Sequence, residues 1–281
     1  MLLLIYTLVV KFYYLLHPSS FMADGSEGLL YHLLVTWMQD IVGNSPLFFT
    51  SLAVLLLFLQ SLLFTRIINH HRLFPRATYL PAMCYLLFTS MLESWNVFSP
   101  ALLVNLIMLW VFSSITELYT RTSARDVVFN IGFALGISGL FYFPSVIFCV
   151  LLLASMLIMR AFRLAEWIIA LLGLICPLYL MGTYLFLTGQ VPMLKKIPNI
   201  GLSLPVITDY KVWGAMVACV LFFVVGWLLL QRPLKKMLIQ GRKIWAALII
   251  YVLVAMLVPF FNMHFTSAYW VLAVLPVSMF A

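Results

Sequence analysis

Two uninterrupted apolar stretches set the terms for this chain: "FFTSLAVLLLFLQSLLF" (48–64) and "VWGAMVACVLFFVVGWLLL" (212–230). Neither holds a charged residue, and neither alternates polar with apolar positions. A helix on a soluble domain needs a polar face, and a membrane β-strand alternates with period two over about 10 residues. A run that is apolar on every side is solvated by lipid, where each backbone amide must find its partner within the element. Only helices fit. Composition extends the argument to the whole chain, because 65% of the 281 residues are hydrophobic and 9% are charged. That is too little charge to cover a soluble surface. The expected fold class is all-α, a polytopic transmembrane helix bundle forming a single integral membrane domain over residues 1–281.

The apolar runs predict helices at 1–17, 47–66, 78–92, 100–119, 127–142, 144–160, 165–187, 212–230, 244–262 and 264–281, giving nine or ten spans. Two of them, 78–92 and 127–142, are short for a hydrocarbon core of about 30 Å. The opening run "MLLLIYTLVVKFYYLLH" lacks a basic leader and a small-residue cleavage site, so it reads as a retained helix. The last run ends without a polar flank, and the chain is expected to continue beyond residue 281.

A formal charge of +8 invites a nucleic-acid partner, but no basic stripe is interleaved with aromatics. Twelve of the sixteen lysines and arginines fall between the predicted spans on one side, provided that the N-terminus is cytoplasmic. That distribution follows the positive-inside rule and selects this orientation. Cys84, Cys149, Cys176 and Cys219 all sit in apolar runs without CxxC spacing, which reads as packing rather than metal or disulfide chemistry.

The first cytoplasmic loop, "NHHRLFPRATYLP" (69–81), carries His70, His71, Arg72, Pro75 and Arg76. Adjacent histidines on a helix point about 100° apart and share a metal poorly. The loop therefore reads first as a boundary between helices, with a binding role as the lesser alternative. "RPLKKMLIQGRK" (232–243) is a basic segment suited to anionic lipid headgroups.

The outer side holds the residues with chemistry. The stretch "ADGSEGLLYHLLVTWMQDIVG" (23–43) reads as a short loop followed by an amphipathic interfacial helix. Leu29, Leu30, Leu33, Leu34, Trp37 and Ile41 share its apolar face, while His32, Thr36, Gln39 and Asp40 occupy the other. Asp24 or Ser26 is placed to cap its first turn. Asp24 and Glu27 precede this helix, and Glu93 with Asn96 lies in the next outer loop, "ESWNVFSP" (93–100), with Asn105 beyond it. Carboxylates gathered there are candidate catalytic groups, as a general base or as ligands to a divalent cation that holds a phosphate. Candidate substrate contacts are Lys11, His32, Asn96 and Asn105, together with Lys195 and Lys196 in the long outer loop 188–211. Lys11 lies inside the first span, where an ionisable group is expected to pair with Asp24 or Glu27 or to snorkel outward. Gly132 and Gly136 form a GxxxG pair, predicting close helix contact within the bundle.

Several phrases taken together resemble a known family: "DGSEGLLYHLL", "RLFPRATYLPAMCYLL", "NVFSPALL", "FNIGFALGISGLFYFPS", "RAFRLAEW" and "LLGLICPLYL". They are similar to multi-pass inner-membrane proteins of Bacteroidetes grouped as a domain of unknown function. The resemblance spans most of the chain. It implies a bacterial cytoplasmic membrane and supplies no activity and no site residues.

Two classes of function stay open on this reading. One is an enzyme of envelope biogenesis acting on a lipid- or polyprenyl-phosphate-linked substrate. Its layout of an acid before an interfacial helix and an acid in the second outer loop is similar to that of membrane glycosyltransferases. The other is a non-catalytic membrane scaffold or subunit, with membrane lipid and other membrane proteins as partners. A transporter ranks third, because the spans hold no paired acids and no matching broken helices.

Overall fold

The computed structural model describes every residue except 1, 23, 24, 26, 75–77, 122, 191–200, 202–208, 236 and 263–265. Among the described residues the regular structure is helical throughout. The helices are α1 (Leu2–Leu16), α2 (Leu29–Val42), α3 (Pro46–His70), α4 (Leu80–Thr89), α5 (Pro100–Glu117) and α6 (Arg125–Phe141). They continue with α7 (Cys149–Met159), α8 (Leu164–Leu187), α9 (Tyr210–Leu234), α10 (Ile239–Leu257) and α11 (Val271–Val277). Short 3-10 turns at Glu93–Asn96, Phe143–Phe148, Val258–Phe261 and Ser267–Trp270 join them. Pro46, Pro81, Pro100 and Pro144 each sit in the first turn of an element, where the missing N–H is not needed.

Five stretches are long and apolar enough to cross a membrane: Pro46–His70, Pro100–Glu117, Leu164–Leu187, Tyr210–Gln231 and Ile239–Phe261. They mark a membrane protein. The remaining elements that the sequence suggests as spans are shorter. The 10 residues of α4 rise roughly 15 Å, about half the hydrocarbon core.

Successive helices run back and forth between two ends. One end holds Glu93 and the turn after α6, and the other holds His71 and Arg160. α5 is central, with Ala101, Val104, Met108, Val111, Phe112 and Ile115 buried on several faces. α8 and α9 lie outside, and exposed residues such as Leu171, Ile175, Leu180, Leu221, Val225 and Leu228 give them the apolar surface that lipid solvates.

The last apolar run departs from expectation. Instead of a lipid-facing span it forms a 3-10 turn and the seven-residue α11, and every residue from Ala268 to Phe280 is buried. α11 packs among α4, α5, α9 and α10. An apolar run with no polar face suits a protein interior as well as lipid, and periodicity does not separate the two.

α6 and α8 meet backbone to backbone. A methyl group added at Gly132 would overlap the Ala170 carbonyl, one at Gly136 the Leu174 carbonyl, and one at Gly173 the Phe129 carbonyl. The GxxxG pair thus packs within the bundle, as its spacing predicts. The added Gly173 on α8 makes the contact reciprocal.

Candidate functional site

The end that carries Glu93 is assembled by backbone and side-chain bonds converging on one carbonyl. Phe98 O accepts from Met22 N–H at 3.0 Å and from the Tyr31 hydroxyl at 3.0 Å. Met22 and Tyr31 flank the segment that holds Asp24 and Glu27, so both of its ends are tied to the loop that holds Glu93. Gly28 N–H donates to Phe141 O at 2.9 Å, and a side chain at Gly28 would collide with the Leu140 carbonyl. That approach also fixes where α2 begins. Gly28 is its N-cap, with no side-chain capping bond; Asp24 and Ser26, which the sequence suggests as caps, lie outside the described residues.

α2 meets the bundle through residues that the sequence reading assigns to neither of its two faces. Tyr31 and Val35 are buried, one turn apart, while Trp37 and Ile41 are exposed. The leucine face is therefore split between protein and surroundings. Tyr31 dominates because its ring stacks on Phe98, with centroids 5.7 Å apart, while its hydroxyl reaches the carbonyl.

Lys11 is fully buried and does not snorkel. Its ammonium donates to Thr89 Oγ1 (2.8 Å), Ser90 Oγ (2.7 Å) and Asn96 Oδ1 (2.6 Å). Three N–H donors thus meet three neutral oxygens, where the sequence suggests a carboxylate partner; Asp24 itself lies outside the described residues. The Tyr14 ring lies 5.7 Å from the ammonium, and its hydroxyl donates to Ser90 O at 2.7 Å. Asn96 completes the clasp by donating to Thr89 O (2.7 Å) and Leu92 O (2.9 Å). Lys11 and Asn96 therefore hold α1, the end of α4 and the Glu93–Asn96 turn together.

The remaining candidates separate. Glu93 is exposed at the start of its 3-10 turn, Glu27 is partly buried beside Gly28, and His32 is exposed on α2. Asn105 is buried in α5, where its amide donates to Val271 O at 3.1 Å and links α5 to α11. Asp24, Lys195 and Lys196 lie outside the described residues. Among the described residues no group of three His, Cys, Asp or Glu side chains comes together to hold a metal. The structure thus gathers the loops of Glu27, Glu93 and Asn96, and it keeps Asn105 in the core.

Sequence reasoning missed Thr89, Ser90, Tyr31 and Phe98. Thr89 and Ser90 close a short span at the depth of Lys11, which was a usable signal. A backbone carbonyl as a meeting point leaves no mark in sequence.

The opposite end is held by an ion pair. Arg160 Nε lies 3.2 Å from Glu166 Oε2, and Arg160 Nη1 donates to Leu118 O (3.2 Å) and Arg121 O (2.6 Å). Glu166 is buried. His71 caps the end of α3 and contacts Thr116 Oγ1 through Nε2 at 2.8 Å. Burial and the neighbouring His70 push its imidazole below the usual value, against a smaller opposite pull from Glu117.

Comparison with protein-family models, with curated proteins and with solved structures finds no match for this chain.

Proposed function

We propose that this chain is a multi-pass membrane protein of the bacterial envelope that processes a lipid- or polyprenyl-phosphate-linked substrate at its Glu93 end. One observation carries the reading: Met22 and Tyr31, which lie on either side of Glu27 in sequence, both bond to Phe98 O in the loop that begins at Glu93. Exposed Trp37 and Ile41 on α2 support it, since an amphiphilic substrate reaches such a site along an interfacial helix. In this scheme Asp24 or Glu27 acts as general base and Glu93 orients a phosphate, directly or through a divalent cation. Lys11 and Asn96 are positioning residues that fix the Glu93 turn. The N-terminus faces the cytoplasm and the acids face outward. The test replaces Asp24, Glu27 and Glu93 singly by Ala in cells and measures lipid-linked intermediates by mass spectrometry, with membrane abundance as control. Altered intermediates at unchanged abundance are expected; an unchanged lipid profile in all three variants overturns the reading.

A second reading, a non-catalytic scaffold, is favoured by the complete internal saturation of Lys11. Under it the three acid variants keep the cellular phenotype, and disrupting the clasp at Asn96 removes it.

A further inference from the structure

Two large concave surfaces among the described residues lie at the other end, beside the residues that follow α3. Two chambers of about 550 Å³ and about 510 Å³ adjoin there and share Leu73, Phe74, Met237 and Trp245. Each falls within the range of about 300–1,000 Å³ common for ligand pockets. The first is apolar, walled by Leu80, Pro81, Leu230 and Phe280. The second is mixed: His70, His71, Arg72 and Gln240 share its wall with Leu238 and Ile244. No Asp or Glu occurs among the described lining residues of either. An apolar chamber beside one that bears Arg72, the two histidines and Gln240 has the form of an amphiphile.

The wall between the chambers carries an independent sign of a ligand. Trp245 is 2% exposed, and its indole N–H has no hydrogen-bond partner among the described residues. A buried donor left unpaired carries a desolvation penalty unless an acceptor arrives. Phe74 and Phe280 pack edge-on against its ring at 5.9 Å and 5.5 Å, so the indole is held rigidly at the junction. Arg72, at the mouth, has φ +48°, an uncommon backbone state for a residue with a side chain.

We propose that this paired cavity binds one anionic phospholipid, with an acyl chain in the apolar chamber and the phosphate at Arg72 and the histidine pair. Trp245 N–H donates to an oxygen of the ester or phosphate region. A phospholipid fits better than a fatty acid because the second chamber offers more volume and more donors than a lone carboxylate fills. The site lies at the end where Arg160, Arg163, Lys235 and Arg242 also sit, and anionic headgroups gather beside such basic segments. It is separate from the Glu93 end and does not depend on the catalytic reading.

The test uses the full chain in neutral detergent, titrated with phosphatidylglycerol, phosphatidylcholine or oleate and followed by native mass spectrometry. One phosphatidylglycerol per chain is expected, with at least about tenfold preference over the other two. Arg72→Gln keeps the exposed position and removes the charge; it should weaken phosphatidylglycerol about tenfold. Trp245→Phe keeps the ring packing and removes the donor; about fivefold weakening is expected. Melting without lipid shows that both variants fold. Equal retention of phosphatidylcholine, displacement by equimolar oleate, or wild-type binding in both variants would each overturn the proposal.

Discussion

Lys11 Nζ and Asn96 Oδ1 meet at 2.6 Å in a fully buried position, 85 residues apart in sequence, with no carboxylate among the three acceptors. The charge is held by geometry alone. Removing Asn96 leaves the ammonium short of an acceptor and frees the Thr89 and Leu92 carbonyls. Removing the lysine takes away the charge itself. Asn96→Ala should therefore cost about 3 kcal/mol and Lys11→Met about 1 kcal/mol. The double variant should lose less than the sum, with a coupling of about 1 kcal/mol. Unfolding midpoints in detergent across the four proteins read this out, and strict additivity would contradict the clasp.

Tyr31→Phe keeps the stacking on Phe98 and deletes the hydroxyl that reaches its carbonyl. A single neutral bond contributes about 1 kcal/mol, a factor of roughly five in local opening. Hydrogen exchange at the Met22 and Gly28 amides should quicken by about that factor, while amides in α5 stay unchanged. Uniform acceleration across the protein would mean that Tyr31 acts on global stability instead.

Arg160→Met strands Glu166 in a buried position, with Arg163 as its remaining neighbour at 4.0 Å. A cost of about 3 kcal/mol follows. Arg160→Met combined with Glu166→Met removes both charges and should recover most of it. Thermal melts of the pair decide the matter: no recovery would show that the two bonds from Arg160 to Leu118 and Arg121 carry the stability.

His71 gives the Arg160 end a pH response. Its folded value lies below that of a free imidazole, through burial first and His70 second. As pH falls below about 6.5, the unfolded chain takes up the proton first, so stability declines until the folded-state value is passed. Above that window His71 contributes no slope. Melting midpoints should fall between pH 7 and pH 5, and His71→Asn should flatten its share of the decline. An identical slope in the variant would show that His71 is not its source.

Much of the architecture was legible because long apolar runs admit one backbone solution in lipid. The bounds of α3, α5, α6 and α8 follow from proline, arginine and glycine positions visible in the text. Three features were not legible. The α11 segment is as apolar as a span, yet packing around α5 draws it inside the bundle. The buried face of α2 is chosen by Tyr31, whose partner Phe98 is 67 residues away. Lys11 was visible as an anomaly, but its acceptors are ordinary hydroxyls and an amide that pattern reading passes over. The loop at 69–81 looked like punctuation, and the cavity it borders takes its other walls from α9, α10 and the last residues of the chain.

The seam between α6 and α8 has a consequence for how the two ends communicate. At Gly132, Gly136 and Gly173 its contacts are main-chain carbonyls, glycine methylenes and the Pro177 ring, none of which titrates or is screened by salt. Acid that weakens His71, or ionic strength that loosens Arg160, leaves this junction unmoved. α8 thereby serves as a fixed rail along the flank, against which either end can loosen without the helix leaving the bundle.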